Sequence, residues 1–218
     1  AGNLTSAVYR IFGKPFSEEG KKLFGVPFAQ FLKLNSEFRY HYRIDKNQMI
    51  ASRIAGGVIW SYGNATTAPY TEQFYIGGAN SVRAFSARSI GPGGYPPETD
   101  RKYTYINHVG DIRIEANIEY RFRMIADLHG AVFLDAGNVW LMRKDENRPN
   151  GEFTLKNFPK QIALGTGFGL RYDLDFLVFR LDLGIGLHDP YDTGKSGYYN
   201  IPKFKDSMAL HFAIGYPF

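Results

Sequence analysis

The sequence predicts an all-β fold, an antiparallel transmembrane β-barrel, on three observations. Apolar and polar residues alternate with a period of two through eight long segments, and the connections between the segments alternate between short and long. No window approaches the roughly 18 continuous apolar residues of a membrane helix, a limit that does not apply to strands. The clearest alternation runs from Asp111 to Arg123. Ile112, Ile114, Ala116, Ile118, Tyr120 and Phe122 fall on one face, and Asp111, Arg113, Glu115, Asn117, Glu119, Arg121 and Arg123 on the other. A helix would scatter both sets around its surface.

Taken in order, the expected strands cover about 2–11, 27–44, 47–62, 110–123, 126–140, 160–174, 175–188 and 206–218. In the second, Leu32, Leu34, Phe38, Tyr40, Tyr42 and Ile44 oppose Lys33, Asn35, Glu37, Arg39, His41 and Arg43. The sixth sets Leu164, Phe168, Leu170 and Tyr172 against Gly165, Gly167, Gly169 and Arg171, and the seventh sets Leu177, Phe179, Leu181, Leu183, Ile185 and Leu187 against Arg180, Asp182, Gly184 and Gly186. The eighth carries Met208, Leu210, Phe212, Ile214, Tyr216 and Phe218 on one face. Several of these strands exceed the soluble-protein mode of about 5–6 residues.

Short turns are expected at Asp45-Lys46-Asn47, around Met124-Ile125 and at Asp173-Leu174-Asp175, with long polar connections at about 12–26, 63–109, 141–158 and 189–205. Short turns at one end and long loops at the other are the plan of an outer-membrane barrel. The charged faces belong in the lumen, because an Arg or Lys facing lipid near the midplane costs about 2–4 kcal/mol. Tyr40, Tyr42, Trp60, Tyr62, Tyr120, Phe122, Trp140 and Tyr216 lie near strand ends, where an interfacial aromatic belt would sit. A soluble sandwich or lipocalin-like barrel would have to take the Leu, Phe and Tyr of eight long strands into one core while leaving rows of Arg and Glu outside.

The 218 residues suit one domain, a single membrane barrel over 1–218 with a long lumen-type loop at about 63–109. With 44% apolar and 16% aromatic residues the chain is not disordered, and without cysteine it has no disulfide scaffold, thiol nucleophile or zinc knuckle. Ala1 opens on neither an initiator Met nor a signal segment, so the chain reads as an interior or C-terminal piece of something longer. No enzyme site is expected. His129 and Asp135 share a face but lie six positions apart, roughly 20 Å along a strand, and no Ser is placed beside the histidines. Gly165-x-Gly167-x-Gly169 alternates within a strand, where small residues suit close approach rather than a phosphate nest. The net charge of +5 is spread over faces and loops, which argues against nucleic acid as a partner.

The connection between the third and fourth strands reads Gly77-Gly78-Ala79-Asn80-Ser81-Val82-Arg83-Ala84-Phe85, then Gly91-Pro92-Gly93-Gly94-Tyr95. It is a glycine-rich segment able to fold back on itself, long enough to re-enter a lumen, with one Arg flanked by Val and Phe. Val82-Arg83-Ala84-Phe85 resembles the VRG(F/Y) lumen loop of the BamA/TamA superfamily of outer-membrane assembly factors and two-partner secretion translocators, with Ala84 in place of the usual Gly. The following strand, with Glu119, and the F-x-D-x-G pattern at Phe133, Asp135 and Gly137 resemble the family's next two strands. Family barrels have sixteen strands with this loop between the eleventh and twelfth. Three strands precede the loop here and five follow, so the eight look like strands nine to sixteen. Phe218, preceded by Phe212, Ile214 and Tyr216, resembles the family's C-terminal signal strand. The wording of the loop is most similar to TamA-like or BamA homologues of Bacteroidota.

The resemblance implies that Arg83 enters a lumen lined by Glu115, Glu119, Asp135, Asp182 and Arg180, contacts Asp135 and Glu119, and packs beside Phe133 and Phe85 in a structural role. It implies location in the bacterial outer membrane and an assembly or insertion factor whose barrel seam templates client strands. The alternatives it leaves are a two-partner secretion translocator and the membrane-anchor barrel of a secreted phospholipase. Implied partners are outer-membrane lipid, unfolded outer-membrane protein clients, upstream POTRA domains and the first half of the barrel, with no cofactor, no metal and no catalytic residue. Eight strands of sixteen leave two edges that lipid cannot satisfy. The piece therefore either belongs to a larger assembly, pairs with a second copy, or closes as a small eight-stranded barrel that expels the loop.

Overall fold

The computed structural model describes residues 22–23, 26–96, 107–174 and 176–218, and the expected strand at 2–11 lies outside them. A two-residue ladder joins β1 (Lys22–Leu23) to β2 (Val26–Pro27). Seven strands then form one antiparallel meander: β3 (Gln30–Arg43), β4 (Gln48–Tyr62), β5 (Ile112–Ile125), β6 (Leu128–Trp140), β7 (Ala163–Asp173), β8 (Val178–His188) and β9 (Met208–Ile214). Each is bonded to its neighbours in sequence. β3 and β9 have no second partner among the described residues, which form an open part of a barrel. The described residues do not form the small closed barrel, and the strand at 2–11 on which that alternative depends lies outside them. The concave side is occupied by the 63–96 part of the long connection, whose Val82 and Arg83 are fully buried there, and closure on so small a radius would displace it.

The two faces follow from the period-two sequence. Leu32, Leu34, Phe38, Ile54, Ile118, Leu134, Leu181, Leu210 and Phe212 are exposed on the convex face, whereas Arg53, Glu115, Glu119, Asp135, Arg171, Arg180 and Asp182 are buried on the concave one. Apolar residues outside and charges inside suit a sheet with lipid on one side and a polar lumen on the other. Among the described residues no helix is long and apolar enough to cross a membrane.

Register converts this alternation into rows across the inner wall. Arg53, Asn117, Asp135 and Gly165 are successive ladder partners from β4 to β7. The adjacent row is Ala51, Glu119, Phe133, Gly167, Gly184 and Ala209. The next is Arg121, Ala131, Gly169, Asp182 and His211.

The structure corrects the sequence reading in three places. The tight turn after β5 falls at Ala126-Asp127 rather than Met124-Ile125. Ile125 pairs with Leu128, Ala126 takes φ 48°, and its carbonyl accepts a 2.8 Å bond from Arg123 Nε. Trp140 is not in an aromatic belt. It is fully buried, edge-on to Phe153, tilted against Phe158, and donates from Nε1 to Gln161 Oε1 at 2.9 Å, because the 141–158 connection folds back over the end of β6. The last strand ends at Ile214 instead of Phe218. Gly215 takes φ 84° and Pro217 lacks an N–H for the ladder, so the chain turns inward.

The long-loop end also holds an apolar core within the concavity. Ile59, Val139 and Ala163 of the wall pack with Ala68, Phe74, Ile76, Val82 and Ile90 of the loop. Here the inward positions of β4 and β6 switch from charged to apolar, which fixes the upper part of the loop and leaves its tip to reach the charged rows.

Candidate functional site

The loop tip is closed by its own backbone. Gly77 and Gly78 have φ of 99° and 90°, the left-handed region in which glycine is strain-free. The Gly78 N–H donates to the Phe85 carbonyl (2.9 Å), the Ser81 N–H to the Gly78 carbonyl (3.1 Å), and the Gly77 N–H to Ser81 Oγ (3.0 Å). The resulting hairpin presents Val82 to the apolar core and Arg83 to the wall.

Asp135 lies opposite Asn117 in one row, and Glu119 lies diagonally from it in the next. Diagonal cross-strand neighbours are about 7–8 Å apart, a span one guanidinium can bridge. Arg83 does so. Nε and Nη2 donate to the two oxygens of Asp135 at 2.8 and 2.9 Å, the Arg83 backbone N–H donates to Asp135 Oδ2 at 3.0 Å, and Nη1 donates to Glu119 Oε2. The guanidinium carbon stands 3.6 Å from the centre of the Phe133 ring. Asn117 Nδ2 supplies Asp135 with a further donor at 2.8 Å. Glu119 is shared, receiving Arg171 Nη2 at 3.0 Å and Arg121 Nε at 2.7 Å, and Arg171 continues to Asp182 at 2.6 Å. A planar fork against a carboxylate, stacked on an aromatic face, is geometry that Arg satisfies and Lys does not.

The seat is shaped by missing side chains. A Cβ at Gly165 would overlap the Cβ of Ala84, and one at Gly184 would overlap the Arg83 carbonyl. Ala84 is not among the left-handed residues, so its methyl costs the tip no backbone strain. A Cβ at Gly167 would strike the Phe133 ring, and Gly137 closely approaches the backbone of β5. Phe85 packs at the edge of the loop's apolar core.

The expected signal-strand residues separate. Phe212 and Ile214 are exposed on the convex face of β9, while Phe218 is only 8% exposed, its ring centre 5.6–6.0 Å from the guanidinium carbons of Arg53, Arg83 and Arg121. Tyr216 stays on the surface, with Arg121 over its ring at 4.5 Å. Once Gly215 reverses the chain, an aromatic face among guanidiniums is a favourable placement for Phe218.

Three participants were not singled out from sequence. Asn80 accepts from Arg53 Nη1 at its carbonyl (3.2 Å) and from Arg180 Nη2 at its side chain (2.6 Å), and His211 Nε2 lies 2.9 Å from the Arg83 carbonyl. For Arg53 a signal existed, since it is the one charge on the face formed by Ala51, Ala55 and Gly57. For Asn80 and His211 the partners are too distant in sequence for any local pattern to show them.

A profile described as the Omp85 superfamily domain matches residues 23–218. The outer membrane protein assembly factor BamA of Nitratidesulfovibrio vulgaris is 28% identical over 204 residues, covering 91% of this chain and 22% of that protein. The protein of the same name from Neisseria meningitidis serogroup B is 29% identical over 89 residues, 38% of this chain and 11% of its own length. Among solved structures, BamA from Haemophilus ducreyi lacking POTRA domains 1–3 superposes with a TM-score of 0.59 at 16% identity, over 85% of this chain and 35% of that one. That likeness concerns the fold. The chain spans between about a tenth and a fifth of the length of the two curated relatives.

Proposed function

The chain belongs to the Omp85 superfamily, and from that premise we propose that it is the C-terminal part of an outer-membrane barrel that assembles and inserts other outer-membrane proteins. The activity involves no covalent chemistry. β9 borders a seam, and when the seam opens, the free N–H and C=O groups of its edge template an incoming client strand by β-augmentation. Arg83, gripping Asp135 and Glu119, locks the Val82–Phe85 tip to the wall so that the lumen keeps its shape while the seam moves. The first half of the barrel and upstream POTRA domains complete the machine.

The observation that carries this reading is the state of β9. It is bonded to β8 along one edge, and at seven residues it is the shortest strand of the seven-stranded sheet. Gly215 and Pro217 end its ladder early, which favours a seam able to part.

The test is reconstitution of the full-length protein into phospholipid vesicles with an unfolded outer-membrane barrel protein as client. The expected result is faster appearance of folded, protease-resistant client than in protein-free vesicles. Equal rates would overturn the proposal. Export of one passenger without folding of barrel clients would assign the protein to secretion instead.

A further inference from the structure

We infer that His211 is a positioning residue that ties the seam strand β9 to the lumen loop through the backbone carbonyl of Arg83. The functional consequence rests on the reading of β9 as the seam strand, whereas the tie itself stands on geometry. The inward positions of β9 are Ala209, His211 and Ala213. The two alanines carry no polar side-chain atom, and among the described residues His211 is the side chain of β9 that hydrogen-bonds to the loop. Its Nε2 stands 2.9 Å from the Arg83 oxygen. A carbonyl only accepts, so Nε2 carries the proton, and the bond persists whether the imidazole is neutral or charged.

The carbonyl is held in place from the other side. It lies over Gly184, where a Cβ would overlap it, and Gly184 is the ladder partner of Ala209. The oxygen therefore sits at the boundary of β8 and β9. Arg83 thus joins two distant parts of the wall, its guanidinium and N–H fastened to Asp135 on β6 and its carbonyl to His211 on β9. Those strands are three spacings apart, roughly 14 Å, a distance covered by the arginine side chain from one side and the imidazole from the other. Asn80 makes a parallel brace between Arg53 on β4 and Arg180 on β8, but that brace stops short of the last strand. Movement of β9 away from the lumen breaks the His211 bond, and withdrawal of the loop removes the inner anchor of β9. The two motions are coupled reciprocally.

The test uses the full-length protein in phospholipid vesicles, with His211→Ala and His211→Gln, the latter keeping an N–H donor at similar reach. Hydrogen–deuterium exchange is read on the peptide containing Met208–Ile214 and, as an internal reference, on peptides of β6 and β7. One net hydrogen bond corresponds to a roughly 2- to 12-fold change. The expected result is that His211→Ala speeds exchange in β9 by that factor, leaves β6 and β7 unchanged, and is reversed by His211→Gln. Unchanged exchange in β9, or an equal rise throughout the sheet, would overturn the inference. Client insertion is measured on the same samples. A faster-exchanging β9 with a changed insertion rate supports both the tie and the seam reading, and a faster-exchanging β9 with an unaltered rate supports the tie while overturning the seam reading.

Discussion

Gly165→Ala is the sharpest probe of how the loop is seated. The new Cβ would fall on the Cβ of Ala84, and neither atom belongs to a flexible side chain that could swing aside. Gly165 is held in the ladder between Asp135 and Gly186, and Ala84 is held through its neighbour Arg83. Relief therefore requires a shift of the whole tip, and overpacking of this kind costs about 1–3 kcal/mol. Ala84→Gly removes the obstructing methyl. Because Ala84 does not occupy left-handed backbone, that change costs the added freedom of the unfolded chain, about 0.4–1 kcal/mol, together with about 0.8 kcal/mol for the lost burial of one methyl. The double variant should accordingly be about as stable as Ala84→Gly alone, a coupling of roughly 1–3 kcal/mol. The assay is guanidinium unfolding of the full-length barrel in vesicles, followed by tryptophan emission, for the four members of the cycle. Additivity to within about 0.5 kcal/mol would refute the claim that Gly165 exists to admit Ala84.

Arg83→Ala leaves Asp135 buried without a cation and should cost about 3–5 kcal/mol, while adding it to Asp135→Ala should cost far less; unfolding midpoints that simply add would refute the pairing. In bilayers whose acyl chains carry bromine, Trp60 should be quenched and Trp140 spared, so Trp60→Phe removes quenchable emission and Trp140→Phe does not; the reverse would invert the assignment of faces. Burial pushes the Asp189 carboxyl up, and burial together with the Asp189 charge pushes the Tyr191 hydroxyl up to about 12. A carboxyl raised on folding is most stabilising below its ordinary value near 3.8 and loses that contribution as pH rises through its folded value. Asp189→Asn should therefore be neutral or stabilising at pH 7, with no gain below about pH 3.8, and should let Tyr191 ionise at lower pH, read by phenolate absorbance; a loss of stability at pH 7 would contradict this.

The fold was legible because lipid and lumen impose opposite demands on alternate residues, so the period of two persists from Leu32 to Phe212. What the pattern could not show is where a loop covers the wall. Trp140 has the sequence context of a belt residue, and only the return of Phe153 and Phe158 over it makes it a core residue. The end of β9 was similarly hidden. Tyr216 and Phe218 continue the alternation in the sequence, and the positive φ of Gly215 ends it in space. Within the site, the loop motif and the Phe133-Asp135-Gly137 strand could be singled out as words, and Arg53 stood out as a lone charge on its face, whereas the contacts of Asn80 and His211 arise only in the folded chain, which brings together residues 27 to 128 positions apart.

The charge on the inner wall calls for an explanation other than stability, since burying an ion pair is often no better than packing apolar groups in its place. The distribution of partners supplies one. Glu119 has Arg121 and Arg171 from the wall itself, and Asp182 has Arg171 and Arg180, so both keep cations if the loop leaves. Asp135 is different. Apart from the neutral amide of Asn117, what it binds among the described residues is Arg83. The wall thus carries one carboxylate whose cation comes from the loop, and the cost of separating the two grows as the surroundings become drier. Removal of the tip would therefore strip Asp135 of its cation while Glu119 and Asp182 keep theirs, which makes Asp135 the wall carboxylate that holds the loop in place.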